Sequence, residues 1–195
     1  MHASAPGKLV LCGEYAVLEG APALVLAVDA RAGVIVDDAA DGEFRVAAPD
    51  VEVPNARFLP ERGRVRWVDL DEARRERLGL VTRVIEAFGI GQPPFHMHLD
   101  TRDFSLGGEK LGLGSSAATT VALAGVLCGR AHREPPRVED LVALHRAWQG
   151  GRGSALDVAA SLRGGLLMYR LEHGEPVGEK AGLPDFGHTY LYDGE

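Results

Sequence analysis

The chain has 195 residues, a formal net charge of −7 and 46% hydrophobic residues. This length suits one well-buried domain and is short for two. The acidic balance and the scattered Lys and Arg residues argue against nucleic acid as the main partner, although a local positive potential would still allow an anionic ligand. We find no secretory signal and no apolar run long enough to cross a bilayer, so a membrane partner is not expected either.

The two cysteines predict a reducing environment. Cys12 and Cys128 both lie in apolar runs, which suits small buried hydrophobic residues better than a disulfide framework. We therefore expect free thiols and a cytoplasmic location.

The first third of the chain predicts mainly strands. Apolar, β-branched or alternating runs predict strands over 8–12, 23–28, 32–36, 43–47 and 65–70. The second and third of these are expected to meet near 29–31. Residues 49–64 are rich in Pro, Arg and Glu and are expected to form a loop.

The remainder interleaves helices with strands. Asp71 is a candidate cap for a helix over 71–88, and further helices are predicted over 115–131, 138–149 and about 156–162. Strands are predicted over 95–99 and 166–171. This order of elements predicts a mixed α/β domain over 1–171. Residues 172–195 predict a linker and the first strand of a further domain, with an ordinary final edge strand as the alternative.

The most informative segment is EKLGLGSSAATTVAL, residues 109–123. Gly112 and Gly114 allow a tight turn and a close approach to a ligand. Ser115 and Ser116 then open a helix, whose unpaired N–H groups and positive dipole end suit an anion such as phosphate. The serine hydroxyls could cap the helix, bind phosphate or ligate Mg²⁺. A tight loop with serine caps is common, so this motif by itself is weak evidence.

Four motifs in order resemble the GHMP small-molecule kinases. They are APGK at 5–8, GEYAVLEG at 13–20, GLGSSAA at 112–118 and GSALDVAAS at 153–161. The resemblance covers nearly the whole chain. One such motif could arise by coincidence of composition, whereas four in the right order are hard to explain in that way. It implies the α+β two-layer sandwich of the GHMP N-terminal domain, a ribosomal-protein-like fold, and phosphoryl transfer from ATP with Mg²⁺ to a small molecule.

The resemblance also implies residue roles. The ATP phosphates are expected on the loop and the helix start, and Ser116 is expected to reach Mg²⁺. Asp157 matches the family's catalytic aspartate and Lys8 its partner lysine; without the motifs, a helix-dipole acid and a solvated lysine would be the plainer interpretations. The expected ATP-binding residues are Lys110, Gly112, Leu113, Gly114, Ser115, Ser116 and Ala117. The expected acceptor-binding residues are Glu14, Tyr15, Arg152 and Ser154.

The acceptor is inferred from a few residues. The DVAAS string is similar to the phosphomevalonate kinase branch, whereas mevalonate kinases usually carry Asp-Asn there, so phosphomevalonate is the expected acceptor and mevalonate the alternative. An anionic acceptor needs cations, and Arg152 is the best placed; Lys110, Arg102, His145 and Arg146 are other candidates. Trp67 and Trp148 are interpreted as packing residues, with Trp67 as a possible support for a nucleotide base.

The chain departs from the family pattern at several points. No proline opens the second motif, Ala155 stands where glycine is usual, and Arg146 stands near a position where some relatives carry a second Mg²⁺ ligand. The third, Gly-rich motif of the family does not follow. A non-catalytic module that binds ATP or a metabolite is therefore an alternative, and the uncovered face of the domain is expected to favour a homo-oligomer.

Overall fold

The computed structural model describes residues 1–151, 153–172 and 175–180, and within them it places ten strands and five α-helices. The strands are β1 (His2–Cys12), β2 (Ala23–Asp38), β3 (Phe44–Ala48), β4 (Val53–Glu61), β5 (Arg64–Trp67), β6 (Phe95–Asp100), β7 (Ser105–Leu106), β8 (Glu109–Lys110), β9 (Leu166–Glu172) and β10 (Glu175–Lys180). The helices are α1 (Glu72–Arg77), α2 (Gly79–Phe88), α3 (Ser115–Arg130), α4 (Val138–Trp148) and α5 (Leu156–Arg163).

Eight of the described strands form one sheet in the order β10-β9-β2-β6-β3-β4-β5, with β1 paired to β2. β3 runs parallel to β6, and the other pairs in this sheet are antiparallel. β2 exchanges neighbours along its length: residues 23–26 pair with β9 and residues 33–38 pair with β6. The prediction of two strands meeting near 29–31 is therefore wrong, because β1 pairs along β2 on both sides of that point.

The helices pack on one face of the sheet around α3. This helix contacts β1 and β2 and is flanked by α2 and α5. Every residue from Ala117 to Ala124 is buried, and Leu123 and Leu127 are fully inaccessible. Burying each such leucine contributes about 1.5–3 kcal/mol. The layers of helices and sheet confirm the predicted two-layer α/β sandwich.

Two further predictions about local structure are wrong. Residues 53–61 form β4 rather than loop, because Val53, Ala56 and Phe58 are buried while its charged residues form surface ion pairs. The single helix expected over 71–88 is divided at Leu78 into α1 and α2. The Asp71 cap is confirmed, since its carboxylate accepts the Arg74 N–H at 2.8 Å.

The surface outside the helical layer is partly apolar. Leu9 and Leu11 on β1 and Met168 on β9 are 46%, 50% and 52% exposed. Cys12 is also exposed, contrary to the expectation of burial, whereas Cys128 is buried and both thiols are free. Burial raises the pKa of the Cys128 thiol. Within the described residues, no helix combines the length and apolar character needed to cross a membrane.

Residues 175–180 pair with β9 as β10, inside the segment expected to be a linker. Residues 173–174 and 181–195 of that expected segment lie outside the described residues.

Candidate active site

The Gly-rich loop, which contains Gly112 and Gly114, leads into α3, whose first backbone N–H groups have no side-chain cap. Gly112 and Gly114 have φ angles of 71° and 78°, the left-handed region that favours glycine. Gly114 is the N-cap residue of α3, and no side chain caps the helix. The serine hydroxyls therefore do not act as caps, and the first N–H groups of the helix remain available to an anion at the positive end of the dipole.

The backbone of β1 lies directly against this loop. The Lys8 N–H donates to the Leu113 carbonyl at 2.8 Å. This approach requires Gly7, because a Cβ at that position would lie 2.6 Å from the Leu113 carbonyl oxygen and 2.6 Å from the Phe104 ring. Gly7 thus allows β1 to place Lys8 beside the loop.

Lys8 and Asp157 converge on Gly114 from distant parts of the chain. A Cβ built on Gly114 would lie 3.1 Å from Lys8 Cγ and 3.8 Å from Asp157 Cβ. Asp157 sits in the first turn of α5, and its carboxylate accepts the Val158 N–H at 3.0 Å. A cation, a carboxylate and an anion-binding helix start therefore share one place in the fold.

Two clefts, each of about 170 Å³, have lining residues near this point. Lys110, Ser115, Ser116 and Trp148 contribute to the first, whose lining also includes the charged Asp50 and Arg77 beside apolar side chains. Lys8, Glu14, Gln149, Ser154 and Asp157 line the second. Ser115 and Ser116 follow Gly114 in sequence, and Lys8 and Asp157 lie against Gly114, so each cleft has lining residues beside the loop.

The turn before α5 shapes the second cleft. The Tyr169 hydroxyl donates to the Ser154 carbonyl, and Arg146 Nε donates to the Gly153 carbonyl at 3.1 Å. Ala155 has a φ of 62°, which is unfavourable for a residue with a Cβ, and its side chain is buried. Packing therefore holds an alanine in the conformation that glycine adopts freely.

The structure does not bring every predicted site residue to a cleft. Tyr15 is 81% exposed and does not line the second cleft. Ala117 is fully buried, so only its backbone could face a ligand. Gly112, Leu113 and Gly114 form the loop but line neither cleft, and the Leu113 carbonyl accepts the Lys8 N–H. Arg152, the expected acceptor-binding cation, lies outside the described residues.

His145 is a site residue whose role the sequence did not indicate. Its side chain is 1% exposed, and its Nε2 lies 3.0 Å from Ser116 Oγ. Burial lowers the pKa of His145, and the negative charge of Asp157 offsets part of that effect. A buried ring that resists protonation is poorly suited to bind an anionic acceptor as a cation, which is one of the roles that the sequence suggests for His145.

The two tryptophans also differ in position. Trp67 is 6% exposed and its indole N–H donates to Thr82 Oγ1 at 3.1 Å, so it packs in the core. Trp148 is 39% exposed and lines the first cleft. The aromatic surface available to a nucleotide base therefore belongs to Trp148, not Trp67.

We predict that the burial of His145 makes stability depend on pH. The folded pKa lies below the ordinary value of 6.5, so the unfolded chain binds more protons as pH falls through that value. The free energy of unfolding should therefore decrease from pH 7.5 to pH 5.5. Urea unfolding measures this, and His145→Gln should flatten the decrease; an equal slope in both proteins would contradict the prediction.

Fold and site together define an α/β domain with an anion-binding helix start beside a lysine–aspartate pair. Residues 78–165 match the family model of the GHMP kinases N terminal domain. Residues 78–165 therefore form a GHMP kinase N-terminal domain.

Curated relatives include two kinds of kinase. The chain is 35% identical over 185 residues to a phosphomevalonate kinase of a Streptomyces species, covering 85% of the chain and 48% of that relative. It is 33% identical over 188 residues to the mevalonate kinase of Aeropyrum pernix, covering 93% of the chain and 54% of that relative. The chain therefore spans about half the length of the curated relatives it matches.

Solved structures agree on the fold. Streptococcus pneumoniae phosphomevalonate kinase, solved in complex with phosphomevalonate and AMPPNP, aligns with a TM-score of 0.63 at 22% identity over 87% of this chain and 49% of that one. A D-glycero-D-manno-heptose 1-phosphate kinase from Bacteroides thetaiotaomicron aligns with a TM-score of 0.72 at 17% identity, covering 95% of this chain and 61% of that one.

Proposed function

We propose that the chain is the nucleotide-binding part of an ATP-dependent kinase that phosphorylates phosphomevalonate. The observation that carries the proposal is the convergence of Lys8 and Asp157 on Gly114, at the start of α3. Phosphoryl transfer depends mainly on positioning and on neutralising charge, and this arrangement supplies both.

The first cleft is the proposed nucleotide site. The N–H groups at the start of α3 and the exposed Lys110 would hold the phosphates, and Trp148 offers an aromatic face to the base. A nucleotide with phosphates and a base, AMPPNP, is bound in the solved phosphomevalonate kinase from Streptococcus pneumoniae.

The second cleft is the proposed acceptor site. An acceptor oxygen held near Asp157 would attack the γ-phosphorus of ATP, and the bond from that phosphorus to the bridging oxygen would break to release ADP. Lys8 would offset negative charge on the transferred group. Asp157 would accept the proton of an alcohol acceptor or orient a phosphate acceptor, which has no such proton when fully ionised.

Mg²⁺ fits this site as an ion carried by the nucleotide. The described residues contain no group of three metal-ligating His, Cys, Asp or Glu side chains. Mg²⁺ commonly takes only one or two protein ligands and completes its coordination with phosphate oxygens and water. Ser116 Oγ, in the first turn of α3, is the proposed protein ligand, and the ion would supply charge neutralisation.

The choice of phosphomevalonate over mevalonate is supported by the Streptomyces relative and by the DVAAS string around Asp157. The mevalonate kinases of Aeropyrum pernix and Pyrococcus horikoshii, at 33% and 28% identity, make mevalonate the second candidate. A cytoplasmic location is part of the proposal and is supported by the two free thiols.

A coupled ADP-release assay tests the acceptor. With Mg-ATP, turnover by the 195-residue chain is expected to be faster with phosphomevalonate than with mevalonate. Faster turnover with mevalonate would contradict the choice of acceptor. Binding of Mg-ATP, seen as a change in Trp148 fluorescence, without turnover of either acceptor would favour the non-catalytic module.

A further inference from the structure

His145 connects α4 to the start of α3 through one side-chain contact. It is fully enclosed, its ring centroid lies 5.7 Å from that of Trp148, and its Nε2 lies 3.0 Å from Ser116 Oγ. Its other ring nitrogen, Nδ1, is buried and has no hydrogen-bond partner among the described residues. Among the described residues the ring therefore has one hydrogen-bond partner, Ser116, which lines the first cleft.

The unpartnered Nδ1 indicates which nitrogen carries the proton. In a neutral imidazole one nitrogen donates and the other accepts. A buried N–H without an acceptor is rarer in proteins than an under-used acceptor. The favourable tautomer thus has its proton on Nε2, so that Nε2–H donates to Ser116 Oγ and Nδ1 is left with only a buried lone pair.

This direction of donation determines what Ser116 can offer a ligand. A serine hydroxyl has one hydrogen to donate and two lone pairs to accept. Accepting from Nε2–H occupies one lone pair and leaves the hydroxyl hydrogen and the second lone pair unused by His145. It also favours one of the three staggered positions of Oγ.

We infer that His145 is a positioning residue, which donates from Nε2 to Ser116 and so aims the serine hydroxyl hydrogen at a phosphate oxygen of the nucleotide. This role rests on the proposed function of the first cleft. Losing it removes a preorganised hydrogen bond, which corresponds to a nucleotide affinity about 2–10-fold weaker.

Two amide substitutions separate this role from simple packing. In His145→Gln the amide nitrogen reaches close to the position of Nε2, whereas in His145→Asn it reaches only to that of Nδ1, which has no partner. Calorimetric titration with Mg-AMPPNP should give His145→Gln an affinity within about twofold of the wild type and should show the 2–10-fold loss for His145→Asn. Equal affinities for both variants and the wild type would overturn the role.

A double-mutant cycle with Ser116→Ala tests whether His145 acts through the serine. Once the hydroxyl is absent, His145→Asn should weaken Mg-AMPPNP binding no further. A loss of the same size in both backgrounds would mean that His145 acts through packing, and would overturn the inference. Thermal unfolding of each nucleotide-free variant reports its separate effect on stability.

The tautomer is measurable in the wild-type chain without nucleotide. Nitrogen-15 NMR at pH 7.5 should show His145 neutral with its proton on Nε2, and Ser116→Ala should shift the Nε2 resonance. A proton on Nδ1 would overturn the inferred direction of donation, even if the variants fail to fold. A wild-type chain that does not bind Mg-AMPPNP would overturn the proposed function and this role with it, whereas normal binding with unaffected variants would overturn the role of His145 alone.

Discussion

Replacing Asp157 by Asn is expected to lower turnover with an alcohol acceptor by about 10²–10⁴-fold, the range for a lost general base. The loss should be smaller with a phosphate acceptor, because a phosphate monoester has its second pKa near 6 and is largely ionised at pH 7.5. The Asn side chain keeps an oxygen that can accept the Val158 N–H, so the turn should persist. Steady-state kinetics with mevalonate and phosphomevalonate measures both losses.

Asp140→Asn is a matched control for this substitution. Asp140 also lies in the first turn of a helix, where loss of its charge costs about 0.3–1 kcal/mol, and its carboxylate pairs with Arg137 at 3.0 Å. This control should leave turnover unchanged. Similar kinetics for the Asp157 and Asp140 variants with both acceptors would contradict a chemical role for Asp157.

Local signals predict the loop well because the relevant interactions are short in sequence. Gly112 and Gly114 adopt the positive φ angles that glycine makes accessible, and α3 begins at Ser115 as predicted. The convergence of Lys8 and Asp157 is different. No local pattern connects these segments, so their proximity could be expected only from the order of the four motifs.

The contact of His145 with Ser116 could be anticipated only in part. His145 lies four residues after the fully buried Leu141, so the helical period places both on the inward face of α4. That spacing indicates burial but not the partner, because the partner depends on how α4 packs beside α3. Helix packing geometry is a tertiary property, and the sequence pattern of one helix does not determine it.

Two of the mistaken predictions, for 29–31 and for 49–64, share one physical cause. The Pro, Arg and Glu residues of β4 favour a loop. In the structure Arg57 forms an ion pair with Glu43, the residue before β3, and Pro60 lies near the end of β4. β2 continues through residues 29–31 because β1 pairs with it at Val28 and again from Arg31 onward. In both segments pairing with neighbouring strands outweighs local composition, as is usual for β-structure.

Gly7→Ala is expected to destabilise the chain by about 1–3 kcal/mol, the usual effect of overpacking. The added Cβ would lie 2.6 Å from both the Leu113 carbonyl oxygen and the Phe104 ring, so β1 and the loop would have to separate. That movement should also weaken the hydrogen bond from Lys8 to Leu113 and displace the Lys8 side chain from Gly114. Urea unfolding measures the first effect, and turnover per folded molecule measures the second.

Gly125→Ala provides the control, since its added Cβ would meet nothing within 4 Å and the residue lies inside α3. Alanine is favoured over glycine in a helix by about 1 kcal/mol, so this variant should be as stable as the wild type or more stable. Comparing the two variants separates the clash of a Cβ at position 7 with the loop from the general effect of replacing a glycine. If Gly7→Ala proved as stable and as active as Gly125→Ala, close contact between β1 and the loop would not be what holds Lys8 at the site.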